Sequence, residues 1–208
     1  MCGIFGYVGK RSDAVKIVFE GLKTLEYRGY DSWGIASLNQ RSNIKPQKLT
    51  VEKHVGKLPP NLNLQLSNLN SSVALGHTRW ATHGGVTEAN AHPHTDCTGK
   101  ISAVHNGIVG NWEDLKKSLS KNHNFKSQTD TEVLVHLVEE LLKKLPFEEA
   151  VRRAFLKLKG LNAFIFLKND GKIVAVKSGS PLVVGLGENE VLISSDSAGL
   201  LPHCQNAV

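Results

Sequence analysis

The sequence predicts a layered α+β domain, and three patterns support this fold class. Apolar strand segments are found toward both ends of the chain, with helical segments between them. Those helical segments repeat apolar residues at the 3.6-residue period of an amphipathic helix. Near the end of the chain, two apolar runs flank Asn169-Asp170-Gly171, which is a strong β-hairpin signal. Strands, then helices, then strands again favour separate layers over a regular βαβ series.

The first part of the chain predicts a strand, a helix and two further strands. Residues 2–8 form an apolar run punctuated by glycines, which is typical of a buried strand. Ser12 is expected to cap a helix that ends near Gly29. The apolar stripe of that helix comprises Val15, Val18, Phe19, Leu22 and Leu25. Strand character resumes at residues 33–38. Residues 40–70 are loosely ordered, with a strand near Leu49–Val55 and a loop through Pro59 and Pro60.

The remaining chain predicts core strands on either side of a helical segment. A long loop rich in glycine and histidine separates two strands, at residues 73–78 and 101–105. Asn111 is expected to cap a short helix that ends at Leu119, and Thr129 to Glu132 has the spacing of a capping box at the start of a leucine-striped helix. Pro146 ends that helix and begins another, striped as far as residue 158. Four further strands are predicted, at residues 164–167, 173–176, 182–186 and 191–194.

The composition is that of an ordinary globular protein. Of the 208 residues, 40% are hydrophobic and 21% are charged, which excludes intrinsic disorder and collagen-like structure. No apolar stretch approaches the roughly 20 residues of a membrane-spanning helix, and the N-terminus lacks the basic leader of a signal peptide. Three scattered cysteines, an odd count, provide no disulfide framework: Cys2, Cys97 and Cys204. We therefore expect a cytoplasmic protein with reduced thiols and no membrane partner.

The net charge of +6 raises nucleic acid as a partner. However, the basic residues are diluted along the chain and lie on the polar faces of predicted helices. The sequence also lacks the aromatic and basic platform of single-strand binding proteins. We therefore expect no nucleic-acid partner, because net charge bears on solubility and association rather than on fold.

Cys2 is the first candidate for chemistry. Removal of Met1 would leave Cys2 with a free α-amino group, whose pKa is ordinarily about 7.7–8.0, so that one residue could supply both a nucleophile and its base. The alternative is a small buried side chain in a strand, which is the usual state of a free cysteine.

The polar loops contain further candidates. Arg79 could bind a carboxylate in a two-pronged contact and Trp80 could close a pocket, although a surface ion pair and a core tryptophan are the alternatives. Histidines near Cys97 suggest zinc, but their spacing does not match the usual pairing of zinc ligands, so we predict no metal and ordered loop histidines instead: His77, His83, His92 and His94.

A strand end and a helix start complete the candidates. Asn106 and Gly107 form a turn signal, but an asparagine amide beside a glycine N–H is also a natural pair of oxyanion donors. Asp130 is favoured in the first turn of a helix by the helix dipole, and it could equally bind a substrate ammonium group.

Together these residues resemble the class II glutamine amidotransferases, which are N-terminal nucleophile hydrolases. More narrowly, the chain resembles the glutaminase domain of the glucosamine-6-phosphate synthase branch. The matching motifs follow the family's order and span nearly the whole chain: MCGI at residues 1–4, RGYDS at 28–32, GHTRWATHG at 76–84, NAHPH at 90–94, VHNGIV at 104–109 and TDTEV at 129–133. One departure is Trp33, where the family usually has a smaller residue.

The resemblance implies a four-layer αββα sandwich and a role for each candidate residue. Cys2 would attack the side-chain amide of L-glutamine, assisted by its own α-amino group, while Asn106 and Gly107 would stabilise the oxyanion. Arg79 would bind the substrate carboxylate and Asp130 its ammonium group. The remaining implied residues order or close the pocket: Arg28, Trp80, Thr82 and His83. No cofactor is implied.

The resemblance also implies a larger enzyme. The family's glutaminase portion continues beyond Val208, so we expect residues 1–208 to be a glutaminase domain truncated at its C-terminus, with an unpaired strand edge near residues 191–193. Fructose 6-phosphate would bind only to two absent isomerase lobes, and the full-length enzyme would form a homo-oligomer. Two alternatives are an amidophosphoribosyltransferase-like glutaminase domain and a non-catalytic binding module.

Overall fold

The computed structural model describes residues 2–38, 49–63, 66, 68–119, 121–203 and 206–207. Met1, Cys204 and residues 40–48 of the loosely ordered stretch predicted at residues 40–70 lie outside the described residues. The described strands are β1 (Gly3–Gly9), β2 (Ser32–Leu38), β3 (Leu49–Val55), β4 (Val73–Arg79), β5 (His94–Thr95), β6 (Ile101–Gly107), β7 (Asn162–Lys168), β8 (Ile173–Ser178), β9 (Val183–Gly187), β10 (Glu190–Ser194) and β11 (Asn206–Ala207). The described α-helices are α1 (Ala14–Thr24), α2 (Trp112–Leu119), α3 (Asp130–Leu142) and α4 (Phe147–Phe155).

Two antiparallel sheets face each other with helices on their outer sides. The larger sheet has the strand order β11-β9-β10-β1-β4-β2-β3, and the smaller has the order β5-β6-β7-β8. Apolar residues of β1 alternate between two cores: Ile4 packs between the sheets, whereas Phe5 and Tyr7 pack against α1. Residues of α2, α3 and α4 pack on the other side of the smaller sheet. This arrangement confirms the α+β class and the four-layer αββα sandwich.

The first helix differs from its prediction at both ends. It begins at Ala14 after Asp13, and Ser12 is not its cap. The Asp13 carboxylate does not cap the helix either, because it accepts two hydrogen bonds from Arg11, at 3.0 and 2.7 Å. The helix ends at Thr24, before Gly29, and a 3-10 turn follows it.

The start of α3 is where the capping box predicts it, but the predicted bonds are wrong. Thr129 precedes the helix, and its hydroxyl pairs with His94 Nε2 at 2.9 Å instead of capping. The Glu132 carboxylate accepts hydrogen bonds from the backbone N–H groups of Lys126 and Ser127, at 2.8 and 2.7 Å. Glu132 therefore stabilises the loop before the helix rather than the helix end itself.

Asn111 directly precedes α2, and its carbonyl oxygen accepts the Leu115 N–H at 3.3 Å. Its side chain bonds the backbone of Lys157 and Lys159, both at 2.9 Å, and so connects the start of α2 to the segment after α4. One further expectation is corrected. Strand β10 is not an edge, because it pairs with β1 on one side and β9 on the other. Among the described residues, no helix has the length and apolar character needed to cross a membrane.

Candidate active site

Cys2 lies immediately before β1, where side chains from two distant segments hold its backbone. Its carbonyl oxygen accepts hydrogen bonds from Asn106 Nδ2 at 2.8 Å and from Arg28 Nε at 3.1 Å. Its sulfur lies 3.2 Å from the Trp80 backbone nitrogen, which donates to it. Burial raises the pKa of the Cys2 thiol, against the opposing effects of that N–H and of nearby arginines. The thiol is therefore mainly protonated near neutral pH and needs a base to react as a nucleophile.

Arg79 ends β4 as a buried cation. Its guanidinium donates to the backbone carbonyl oxygens of the following loop, at His83, Gly84 (3.2 Å) and Gly85 (3.1 Å). Among the described residues, no carboxylate lies within ion-pair distance of it. Burial lowers the pKa of Arg79, yet an arginine remains charged at any ordinary pH. A buried guanidinium bonded only to carbonyls can accept an anionic ligand.

Asn106 and Gly107 end β6 next to Cys2. Gly107 has a φ of 134°, and a Cβ at this position would overlap the carbonyl oxygen of Leu161. Only glycine is compatible with both constraints. Asn106 uses its amide nitrogen to hold the Cys2 carbonyl, and that nitrogen has a second hydrogen to donate.

Asp130 is the first residue of α3 and is 5% exposed. Its Oδ2 accepts a hydrogen bond from the Val109 N–H at 2.7 Å, and its Oδ1 lies 4.0 Å from His105 Nδ1. Burial lowers the pKa of His105, so this histidine is neutral near pH 7 and does not neutralise the carboxylate. The Asp130 carboxylate therefore lies beside a neutral ring and is available to a cationic group.

Two cavities meet at Cys2, and they share four lining residues: Cys2, Trp80, Thr82 and Gly107. The larger has a volume of about 540 Å³, and its other lining residues include Arg28, Asn106 and the apolar Ile108 and Leu161. The smaller has about 30 Å³ and contains Arg79, His83 and Asp130. All nine residues predicted from the sequence therefore line one cavity or both. The smaller cavity presents a cation and an anion beside a thiol, as an amino-acid substrate requires.

Comparison with known proteins agrees with this geometry. The family described as "Glutamine amidotransferase domain" matches residues 59–208. The chain belongs to this family.

Among the relatives of this amidotransferase domain are the proteins named glutamine–fructose-6-phosphate aminotransferase (isomerizing) of Pyrococcus horikoshii and Thermus thermophilus. Both are 45% identical to it, and the match covers 100% of this chain and 34% of each relative. The chain thus spans about a third of the length of these relatives.

The fold of the domain is also found in solved structures. A glutamine phosphoribosylpyrophosphate amidotransferase of B. subtilis, complexed with ADP and GMP, matches with a TM-score of 0.81 and 26% identity, over 96% of this chain and 43% of the other. A structure titled as the allosteric regulatory enzyme of purine biosynthesis matches with a TM-score of 0.82, 27% identity and the same coverage. The amidotransferase domain is thus of the class II, N-terminal nucleophile type.

The RGYDS motif of the amidotransferase domain positions the loop after β4. A Cβ on Gly29 would lie 2.6 Å from the Arg79 carbonyl carbon, so glycine allows the two backbones to approach. The Asp31 carboxylate accepts the Ala81 N–H at 2.9 Å, and the Tyr30 ring packs edge-on against Trp80, with 5.5 Å between centroids. Asp31 had no role assigned from the sequence, although the motif contained it.

The buried histidines anchor the start of α3. Thr131 Oγ1 lies 2.8 Å from His92 Nε2 and 2.9 Å from His105 Nδ1, and Thr129 bonds His94. Burial lowers the pKa of His94 to about 3, so this ring is neutral. These contacts fix the helix whose first residue is Asp130, and they place His94 in β5 rather than in a loop.

Asp196 is a site residue that the sequence did not reveal. Its Oδ2 lies 2.8 Å from Arg28 Nη1 and 2.8 Å from the Tyr27 hydroxyl. Arg28 in turn bonds the Cys2 carbonyl, so Asp196 orients the arginine that holds the candidate nucleophile. No local pattern marks Asp196, because its partners are more than 160 positions earlier in the chain.

Proposed function

We propose that this domain hydrolyses L-glutamine to glutamate and ammonia with Cys2 as the nucleophile. The observation that carries the proposal is the convergence of Arg79, Asp130 and the Cys2 thiol around one small cavity. Arg79 binds the α-carboxylate of glutamine in place of its loop carbonyls, and Asp130 binds the α-ammonium group. Two fixed charges orient the substrate, so that its side-chain amide extends toward the sulfur.

The reaction begins with transfer of the thiol proton to the α-amino group of Cys2, which is free once Met1 is removed. This base is needed because the thiol pKa is raised and no described histidine hydrogen-bonds the sulfur. The thiolate attacks the amide carbon, and the amine then protonates the departing nitrogen, which leaves as ammonia. Water attacks the resulting thioester, and glutamate is released as the proton returns to sulfur.

Asn106 and Gly107 stabilise the negative oxygen of both tetrahedral intermediates. The second hydrogen of Asn106 Nδ2 and the Gly107 N–H are the donors, and neither must reorganise during the reaction. The hydrogen bond from Asn106 to the Cys2 carbonyl holds the oxyanion donor beside the nucleophile.

The test measures glutamate release from glutamine by the chain after intact-mass confirmation that Met1 is absent. We expect hydrolysis by the processed chain and none by Cys2→Ala, which should still bind glutamine. An electrophilic glutamine analogue should add one equivalent of mass at Cys2. Glutamine binding without glutamate release or labelling would instead support a non-catalytic binding module.

We further infer that the ammonia serves the amination of fructose 6-phosphate by a longer enzyme. The 45% identity to relatives named for that reaction supports this choice over phosphoribosylpyrophosphate, whose amidotransferase is 26% identical. The test supplies this chain with glutamine and fructose 6-phosphate and follows glutamate and amino sugar separately. We expect glutamate alone. Amino sugar formed in proportion to glutamate would contradict the need for additional lobes.

We also infer a reducing, cytoplasmic setting for this reaction. The proposed nucleophile and Cys97 are both free thiols, and a nucleophilic cysteine is inactivated when it is oxidised. Treating the chain with glutathione disulfide should abolish glutamate release, and a thiol reductant should restore it.

A further inference from the structure

Four side chains with metal-ligating atoms converge at a place that the active site does not use. Cys97 lies in the turn between β5 and β6, His123 follows α2, and His136 and Glu139 lie on α3. Their ligand atoms all lie within 4.8 Å of one another. Cys97 Sγ is 3.7 Å from the Nδ1 atoms of His123 and His136, and Glu139 Oε2 is 3.0 and 2.9 Å from those same nitrogens.

These separations match the edges of a zinc coordination tetrahedron. With Zn–S about 2.3 Å and Zn–N or Zn–O about 2.0–2.1 Å, a tetrahedral ion has S···N edges of about 3.6 Å and N···O edges of about 3.3 Å. The observed S···N distances are both 3.7 Å, and the N···O distances are slightly shorter than the ideal edge. The donor set of one thiolate, two imidazoles and one carboxylate suits zinc.

The outer nitrogen of each imidazole faces another carboxylate. His123 Nε2 lies 3.1 Å from Glu140 Oε2, and His136 Nε2 lies 3.7 Å from Glu132 Oε1. With carboxylates at hydrogen-bond distance from both nitrogens, the His123 ring would have to be doubly protonated to satisfy them by hydrogen bonds alone, whereas His136 Nε2 has no hydrogen-bond partner among the described residues. A metal on Nδ1 leaves Nε2–H to donate outward, which is the usual carboxylate–histidine–zinc arrangement.

We propose that Cys97, His123, His136 and Glu139 bind one zinc ion. The thiolate and the Glu139 carboxylate neutralise the two charges of the ion. Both histidines are buried, at 8% and 1% exposure, whereas Cys97 is exposed and gives the ion a route of entry. Four protein ligands close the tetrahedron, so the ion is structural rather than catalytic.

The site connects three segments that are far apart in the sequence. It ties the β5–β6 turn and the segment after α2 to α3, the helix that begins with Asp130. The histidines whose spacing predicts no zinc site make their contacts elsewhere: His77 pairs with the His105 carbonyl, His92 with Thr131 and His94 with Thr129. Cys97 takes its histidine partners from 26 and 39 positions later.

The first experiment measures metal on the unaltered chain. Chain that has been stripped of metal and then incubated with zinc should retain about one equivalent, with a dissociation constant of about 50 nM or tighter. Cobalt(II) in place of zinc should give a sulfur-to-cobalt charge-transfer band and the intense visible bands of a tetrahedral ion.

The second experiment uses matched variants. Cys97→Ser should lose the charge-transfer band and weaken zinc binding at least tenfold, whereas Cys2→Ser should keep both. Glu140→Gln should weaken zinc binding by about 10- to 100-fold, as expected for a group that orients a ligand. Glu149→Gln is its control, since Glu149 pairs with Arg152 and Arg153 on the surface of α4.

Three outcomes would overturn the proposal. The wild-type chain could retain no zinc at micromolar concentration, its cobalt complex could lack the sulfur band, or Cys97→Ser could bind zinc as tightly as Cys2→Ser. If Cys97→Ser failed to fold, the cobalt spectrum of the wild-type chain would decide. None of these readouts requires glutaminase activity, so the zinc site is tested independently of the proposed function.

Discussion

Replacing Asp130 with asparagine removes the proposed ammonium-binding charge while retaining the carboxylate's structural contact. Asp130 Oδ2 accepts the Val109 N–H at 2.7 Å, and an asparagine carbonyl oxygen can accept the same bond. Removing the charge of one partner in a desolvated charge pair costs about 2–5 kcal/mol of binding free energy. We therefore expect Asp130→Asn to lower kcat/KM for glutamine by about 30-fold to 4,000-fold.

Asp130→Ala separates this effect from stability. Alanine leaves the buried Val109 N–H without its acceptor, which costs about 1–3 kcal/mol of unfolding free energy. For a domain of this size we expect Tm to fall by about 2–4 °C for each kcal/mol. Asp130→Asn should lose less than about 1 kcal/mol, mainly through its weaker interaction with the helix dipole.

The assay couples glutamate release to an indicator enzyme and records thermal unfolding of the same three preparations. If the Asp130 charge binds the ammonium group, the two variants share a large loss of kcat/KM while only the alanine variant is clearly destabilised. If Asp130→Asn kept wild-type kinetics, or lost activity only in proportion to its loss of Tm, Asp130 would stabilise the start of α3 without binding the substrate.

Three further predictions concern the surroundings of the nucleophile. Chain that retains Met1, identified by intact mass, should release no glutamate, because its Cys2 nitrogen is an amide and cannot act as a base; full turnover by that form would exclude the N-terminal amine mechanism. Asn106→Ala should lower kcat by about 10²–10³. A higher KM with an unchanged kcat would argue against an oxyanion role. The Ala198 N–H, Tyr27 and Arg28 lower the pKa of Asp196 below its usual value of 3.8. The ionised carboxylate therefore stabilises the folded chain above pH 3.8, and this stabilisation is lost as the pH falls through the lowered pKa. Asp196→Asn should therefore lower Tm at neutral pH and flatten the acid limb of the Tm profile; an unchanged acid limb would show that other carboxylates control it.

Local patterns in the sequence were sufficient for most of the fold. The 3.6-residue stripe, the break at Pro146 and the Asn-Asp-Gly turn each depend on neighbours a few positions away, and α3, α4 and the β7–β8 hairpin lie where those patterns predict them. Where patterns failed, a distant partner competed for the same atom. Thr129 bonds His94 instead of its own helix, for example, because that histidine is buried beside it.

The fold class and nine of the residues that line the two cavities were predictable from the sequence and its family resemblance, because the motifs are each a few residues long and occur in a fixed order. How those residues are held depends instead on contacts between segments that are far apart in the sequence. Asp196 orients Arg28 from 168 positions away, and Cys97 meets its histidines across three segments. Such contacts have no local signature, since a hydrogen bond or a metal ligand constrains position in space and leaves the separation along the chain free.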